Sequence, residues 1–325
     1  MTTSIIIPTK NRPQDLEKTF PTLLSQTIAA DEIVIVDQSE DDGSKNVVER
    51  FSSSLAASHK SKPEISYCCR RDIRGAAAAR NVGIDVSTGD VLVFLDDDVL
   101  LDSDFLESLL AAYQQFPEAG GVSGVVINYP KPAFWPGIIR KLFWIGPFHD
   151  ERQPVYWNCD RLRNNQPLRV RKFGGGVMSV KRSALGSDRF DSRYLGAGSE
   201  DVEFSWRVSE RHPLIIAPRA RLFHAKTDAA RPREHWLAYE VRCSYYLYLR
   251  LWNSGIWNRL CFAWLNLGYS LIATSGALRT MSLDPWRAFL KGARGGRELV
   301  FGNRPQPAAA KLPETETPPA LEADS

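Results

Sequence analysis

Residues Val91-Leu92-Val93-Phe94-Leu95 form an unbroken apolar run, and Asp96-Asp97-Asp98 follow at once. Consecutive β-favouring residues without polar alternation describe a strand covered on both faces, the mark of an inner strand of a parallel sheet. Such a sheet needs helices on both sides, so this one run already argues for an α/β chain. Side chains alternate along a strand, which puts Asp96 and Asp98 on one side and Asp97 on the other. Three adjacent carboxylates repel one another unless a cation or solvent relieves them. Taken alone they read as a solvated turn before Asp102-Ser103-Asp104 starts a helix. At the carboxyl edge of a parallel sheet, where such sheets bind ligands, they read as a site for a hard, oxygen-liganded divalent cation.

The chain around this run alternates in the same way. Strands are expected at residues 4–7, 32–36, 65–69 and 121–127. Helices are expected from Pro13, which suits a first turn, through Leu16, Phe20, Leu23 and Leu24, then at 45–55, from Gly75 onward, and at 103–116. That rhythm describes βαβ units and a mostly parallel, Rossmann-like sheet with flanking helices. A chain of 325 residues accommodates one large α/β domain and an appendage. A formal net charge of +3 is too small to argue for nucleic acid. The five cysteines include adjacent Cys68 and Cys69 but no CxxC pair, so neither a disulfide framework nor a zinc site is expected, and a reducing cytosol fits. The opening Met1-Thr2-Thr3-Ser4-Ile5-Ile6-Ile7-Pro8 lacks the basic region of a signal peptide and reads as a first strand.

Between Tyr129 and Arg171 the alternation breaks. Prolines interrupt a stretch holding Phe134, Trp135, Phe143, Trp144, Phe148, Tyr156 and Trp157. So many aromatics argue against disorder, leaving a flap packed on the domain or a lid whose aromatic faces contact sugar rings. Phe173-Gly174-Gly175-Gly176 then leads into a strand, and its glycines permit close backbone approach to a neighbour or ligand. It is no phosphate loop, because neither GKS/GKT nor GxGxxG occurs. In Gly198-Ser199-Glu200-Asp201-Val202-Glu203, Ser199 suits a helix cap, and Val202, Trp206 and Val208 supply the packed face. Acids in a first helical turn are favoured by the dipole, so spacing alone reads Glu200 and Asp201 as a helix start.

Six motifs in order carry a resemblance: Ser-Ile-Ile-Ile-Pro-Thr-Lys-Asn-Arg, then Ile-Val-Ile-Val-Asp-Gln-Ser-Glu-Asp-Asp-Gly-Ser, then Arg-Gly-Ala-Ala-Ala-Ala-Arg-Asn-Val-Gly, then Phe-Leu-Asp-Asp-Asp, then Phe-Gly-Gly-Gly-Val-Met-Ser-Val-Lys-Arg, then Gly-Ser-Glu-Asp-Val-Glu-Phe. Over about two-thirds of its length the chain resembles the family-two inverting glycosyltransferases of the GT-A fold. The resemblance implies a nucleotide diphosphate sugar donor, a glycan or lipid-linked acceptor and a divalent cation, Mg²⁺ or Mn²⁺. It implies nucleotide-sugar contacts at Pro8, Thr9, Asn11, Arg12, Asp37, Arg74, Arg80, Asn81, Asp96 and Asp97. It implies metal ligation by Asp98 and Asp96, with Asp98 as the direct ligand. His224 stands where some members supply a further ligand, although a lone histidine is as often structural. Asp201 matches the general base, supported by Glu200, and Gly175, Gly176 and Trp206 fall where an acceptor would be met.

The C-terminal third changes character. Residues 225–297 carry 11 Lys/Arg against 4 Asp/Glu, together with Trp236, Trp252, Trp257, Trp264 and Trp286. Cys261 to Leu278 holds no charge and as a helix would run roughly 27 Å, the short limit for a span. An aromatic face on an anionic leaflet, a helical cap or dimer interface, and a single span all stay open. The expected organisation is a catalytic domain at 1–224, a helical, basic and aromatic region at 225–302 with possible peripheral membrane association, and a disordered tail at 303–325. The expected place is the cytoplasm, at the inner face of the cell membrane. Alternatives to transfer are a sugar-phosphate nucleotidyltransferase and an inactive GT-A-like binding protein. The Pro8-Thr9-Lys10-Asn11-Arg12 loop departs from the first of these, and intact Asp96, Asp98 and Asp201 count against the second.

Overall fold

The computed structural model describes residues 1–57, 63–128, 138, 142–144, 147–148, 165–174, 176–192, 199–225, 236–251 and 254–302. The first half follows the expected alternation. It comprises β1 (Thr3–Thr9), α1 (Pro13–Leu24), β2 (Glu32–Asp37), α2 (Gly43–Ala57), β3 (Glu64–Cys69), α3 (Ala76–Val86), β4 (Val91–Leu95), β5 (Val99–Leu101), α4 (Phe105–Gln115) and β6 (Gly121–Val126). Then come β7 (Leu168–Val170), β8 (Val177–Lys181), α5 (Arg182–Leu185), α6 (Glu200–Ser209) and β9 (Leu214–His224).

The strands form one sheet in the order β3-β2-β1-β4-β8-β6-β9-β5, with β7 also on β9. Within β3-β2-β1-β4 every pairing is parallel. Beyond β4 the sheet turns mixed. β8 runs antiparallel to β4 and β6, while β5 and β7 run antiparallel to β9. Alternation divides the core between the two faces. Ile5, Ile7, Ile33, Ile35, Val91, Val93 and Leu95 pack under Leu16 and Phe20 of α1. Ile6, Val34, Val36, Leu92 and Phe94 pack against α3 and Phe204 of α6. All of β4 is buried, as its composition requires.

One element differs from the sequence expectation: the acids lead directly into β5, a short strand, before the helix begins at Phe105. His224 ends the eleven-residue β9, whose length lets it pair with β6, β7 and β5.

The C-terminal region is α7 (Trp236–Arg250), α8 (Ile256–Thr280) and α9 (Asp284–Phe301). Helices α7 and α9 approach backbone to backbone: a Cβ on Gly292 would lie 2.5 Å from the Ala238 carbonyl oxygen, and one on Gly296 would lie 2.7 Å from that of Arg242. These helices are not detached from the sheet. Val202 of α6 shares an apolar cluster with Cys243, Tyr246, Leu247 and Leu299, and the Tyr246 hydroxyl donates to Asp191 at 3.2 Å. The cap also receives the proline-interrupted stretch. Phe143 and Trp144 are buried in it, with ring centroids 4.8 Å from Trp264 and Tyr269 respectively. The flap reading therefore holds for these two residues. Phe134, Trp135, Tyr156, Trp157 and the tail 303–325 lie outside the described residues. Helix α8 is, among the described residues, the one helix long and apolar enough to cross a membrane.

Candidate active site

The site gathers at the carboxyl end of β4. Antiparallel pairing of β5 with β9 sets Val99 opposite His224, so a residue far along the chain is carried back beside the acids. Asn128, just beyond β6, holds the His224 main chain through both its amide groups, at 2.8 and 2.9 Å. The result places His224 Nε2 2.7 Å from Asp98 Oδ1 and 3.9 Å from Asp96 Oδ2. One ligand atom from each of Asp96, Asp98 and His224 lies within 4.8 Å of the others. Asp98 Oδ1 and His224 Nε2 contact each other in a buried imidazole–carboxylate pair, and His224 Nδ1 is buried without a hydrogen-bond partner. Two carboxylates and an imidazole therefore fit a divalent cation.

Gly176 closes the back of this cluster. Its carbonyl oxygen accepts from the Asp96 amide at 3.2 Å, its φ is +75°, and an added Cβ would lie 2.5 Å from Asp96 Oδ2. Only glycine combines that left-handed backbone with that closeness. Gly176 thus stands against the acids, where the sequence suggested acceptor contact. Its neighbour Gly175 lies outside the described residues. Trp206 lies beneath Arg171, whose guanidinium carbon is 4.9 Å from the ring centroid.

Arg12 faces inward. It contacts Asp97 Oδ1 and Asp98 Oδ2 at 2.7 Å each and Asp15 at 2.9 Å. Burial alone would lower its pKa, but Asp97 and Asp98 outweigh that and hold it above the ordinary value. Asp98 shows the converse. Burial would raise its pKa, yet the nearness of His224 and Arg12 keeps it well below the usual carboxylate range. Contrary to the alternation expected, residues 96–98 form a turn between β4 and β5, and Asp97 accepts from the Thr9 hydroxyl at 2.8 Å while sharing the Arg12 guanidinium with Asp98. Burial pushes it up to about 7 against the pull of Arg12 and Thr9. Its two oxygens are filled by those two donors, so Asp97 secures the first loop rather than facing the cluster.

Arg80 joins the two candidate halves of the site. Its Nη2 lies 3.0 Å from Asp96 Oδ1 and its Nη1 lies 3.1 Å from Glu200 Oε1, with the side chain almost fully buried. Burial opposes the charge, but Asp96, Glu200 and Asp201 raise the pKa above its ordinary value. A narrow crevice is lined by Arg80, Phe173, Gly174, Gly176 and Asp201. The expected Ser199 side-chain cap on α6 is not formed. The acids serve the helix start instead: Glu200 Oε2 accepts from the Ser199 amide at 3.1 Å, and Asp201 Oδ1 from the Val202 amide at 2.8 Å. Tyr239 of α7 also belongs to this neighbourhood. Burial, then Cys243, Glu200 and Asp201, raise its phenol pKa. Neither Tyr239 nor Asn128 had a sequence signal, because only long-range packing brings each of them here.

The remaining expected residues sit at the rim or in its scaffolding. Pro8 is half-buried in β1, and Arg74 is exposed before α3. The Asn11 amide donates to Ser39 Oγ at 2.7 Å, which clips the first loop to the second. Asp37 is buried and accepts from the Ser39 amide and the Tyr67 hydroxyl, both at 2.8 Å. Asn81 exchanges both amide groups with the Phe190 main chain, at 2.9 and 2.8 Å, so it anchors α3 rather than facing the cluster.

Comparison with known proteins bears on the family and the fold. The profile described as Glycosyl transferase family 2 matches residues 4–173. Validoxylamine A glucosyltransferase of Streptomyces hygroscopicus subsp. jinggangensis is 27% identical over 252 residues, 70% of this chain and 58% of that protein. The GalNAc(5)-diNAcBac-PP-undecaprenol beta-1,3-glucosyltransferase of Campylobacter jejuni is 32% identical over 195 residues, 59% of this chain and 56% of that protein. The matched region therefore spans little more than half the length of these relatives. Among solved structures, the mannosyltransferase PcManGT of Pyrobaculum calidifontis, in complex with GDP-Man and Mn²⁺, superposes with a TM-score of 0.59 at 16% identity, covering 93% of this chain and 88% of that one. Residues 1–349 of S. aureus TarS with UDP-GlcNAc give a TM-score of 0.57 at 14% identity, covering 92% and 82%. The fold is that of the GT-A glycosyltransferases, and the chain belongs to glycosyltransferase family 2.

Proposed function

We propose that this chain is a metal-dependent, inverting glycosyltransferase that moves a sugar from a nucleotide diphosphate sugar to a hydroxyl of a glycan or lipid-linked acceptor. The observation that carries the reading is the gathering of one ligand atom each from Asp96, Asp98 and His224 within 4.8 Å, joined through Arg80 to Glu200 of α6. Asp96, Asp98 and His224 would hold the cation, and the imidazole in the set favours Mn²⁺ over Mg²⁺, which prefers oxygen and water. When bound, the cation supplies Lewis-acid neutralisation of charge developing on a diphosphate leaving group.

The chain's own residues divide the remaining work. Asp201, on the crevice shared with Gly176 and Arg80, takes the proton from the attacking acceptor hydroxyl. Arg80 orients Asp96 and Glu200, and Glu200 holds Arg80 in place. Arg12 and Thr9 fix the acids from the opposite loop. Arg74, exposed at the rim, and the loop from Pro8 to Arg12 border the donor side. One displacement from the face opposite the diphosphate inverts the anomeric centre. The Campylobacter relative is named for an undecaprenol-linked acceptor, and this supports a role in cell-surface polysaccharide or lipid-linked glycan synthesis at the cytoplasmic face of the membrane.

The test is a panel of UDP- and GDP-sugars scored for hydrolysis and for protection against thermal unfolding, with Mn²⁺, Mg²⁺ or chelator. One matched donor should protect and be hydrolysed only with metal. Equal hydrolysis in chelator would overturn the metal assignment.

A further inference from the structure

Helix α8 has an unusual outer face. Its inner face packs on the cap through Asn258, Cys261, Leu265, Gly268, Tyr269 and Ala273, all buried. Its outer face presents Ile256, Leu260, Leu267, Leu271 and Leu278 exposed, at successive helical spacings. Ala263 and Thr274 fill the remaining positions of the stripe, which carries no charge. From Ile256 to Leu278 it runs roughly 33 Å at the helical rise per residue. The turn that follows adds Met281, 91% exposed, and Leu283. A helix apolar on both faces is ordinarily enclosed by protein or lipid, and a contiguous apolar surface of this size marks an interaction site.

We infer that the outer face of α8 docks on the surface of an anionic lipid bilayer, with the helix lying in the plane of the interface. The charge pattern selects this occupant. The only charges on α8 are Arg259 and Arg279, one near each end, and α9 adds Arg287, Lys291, Arg294 and Arg297 against Asp284 and Glu298. Acidic headgroups complement that frame at both ends. A second copy does not, because twofold antiparallel pairing along α8 would set Arg259 against Arg279. The inner face excludes a transmembrane span. The Ser244 and Tyr269 hydroxyls are 2.6 Å apart, the Tyr245 hydroxyl donates to Asn266, and Trp264 Nε1 donates to the Leu142 carbonyl oxygen at 2.9 Å. Withdrawal of α8 into hydrocarbon would orphan those groups. Interfacial docking keeps all of them and buries only the stripe. This inference stands on the cap and does not depend on the proposed transfer reaction.

The test is flotation of the full-length protein with phosphatidylcholine vesicles, with and without one quarter phosphatidylglycerol. Deletion of the cap would strip α6 of its packing, so point variants at exposed positions are used, with circular dichroism melting as the folding control. Wild type should float with the anionic vesicles, release in part at high salt, and release fully in alkaline carbonate. Leu267→Gln with Leu271→Gln, and independently Arg259→Glu with Arg279→Glu, should each lower binding by roughly tenfold or more at unchanged melting temperature. Absence of wild-type flotation, wild-type binding by both double variants, or carbonate-resistant insertion would each overturn the proposal. So would a dimer in light scattering that the leucine variant alone dissociates.

Discussion

His224 Nε2 and Asp98 Oδ1 stand 2.7 Å apart as a buried imidazole–carboxylate pair, and His224 Nδ1 is buried without a hydrogen-bond partner. The pairing of β5 with β9 makes this closeness obligatory, since Val99 and His224 are register partners. Either a proton on the imidazole or a cation held by both atoms satisfies this contact, and Asp96 beside them completes a ligand set for the cation. Mn²⁺ titration by calorimetry should therefore show binding to the wild type. His224→Ala and Asp98→Asn should each weaken it by more than about tenfold, the lower bound for losing even an outer-sphere partner. Unchanged titration in His224→Ala would return His224 to a packing role.

Asp201→Asn separates a proton acceptor from a helix-capping acid. The amide oxygen still accepts from the Val202 amide, so the melting temperature should stay near wild type. Transfer should fall roughly 10²–10⁴-fold while donor binding persists. Glu200→Gln is the contrast. It removes the charge facing Arg80, so it should cost about 1–3 kcal/mol of stability while retaining more turnover than Asp201→Asn. If Glu200→Gln is dead and Asp201→Asn is active, the base lies one residue earlier.

Arg80→Met leaves Asp96 and Glu200 without their shared cation in a buried setting. Chemical denaturation should show a loss of roughly 3–5 kcal/mol. Saturating Mn²⁺ should recover part of it, because a bound cation compensates Asp96. No recovery with metal would argue against Asp96 as a ligand.

Gly176→Ala forces a Cβ to 2.5 Å from Asp96 Oδ2 at a φ of +75°. The backbone strain alone costs about 1–3 kcal/mol, and Asp96 must also shift. Reduced Mn²⁺ affinity at modestly lower stability is expected. Gly186→Ala, also at positive φ but with open space around its Cβ, is the control for backbone strain and should leave metal binding intact.

Much of this protein is legible in its sequence. The apolar run Val91–Leu95 announced a doubly covered inner strand, and the alternation of Ile5, Ile6 and Ile7 between two faces followed from the strand period. The strand period did not extend to the acids, because residues 96–98 fold as a turn after β4 and their partners are chosen by the tertiary structure. Periodicity is a property of adjacent residues, so sequence carries it directly. What sequence could not carry was pairing across long separations. Only the long β9, folded against β5, β6 and β7, turned a lone histidine into the partner of Asp98. Only tertiary packing turned Arg12 and Arg80 inward onto carboxylates, and set α7 and α9 against α6. Burial leaves a charged group almost no choice but the opposite charge within reach, and which charge is within reach is decided by the folded sheet.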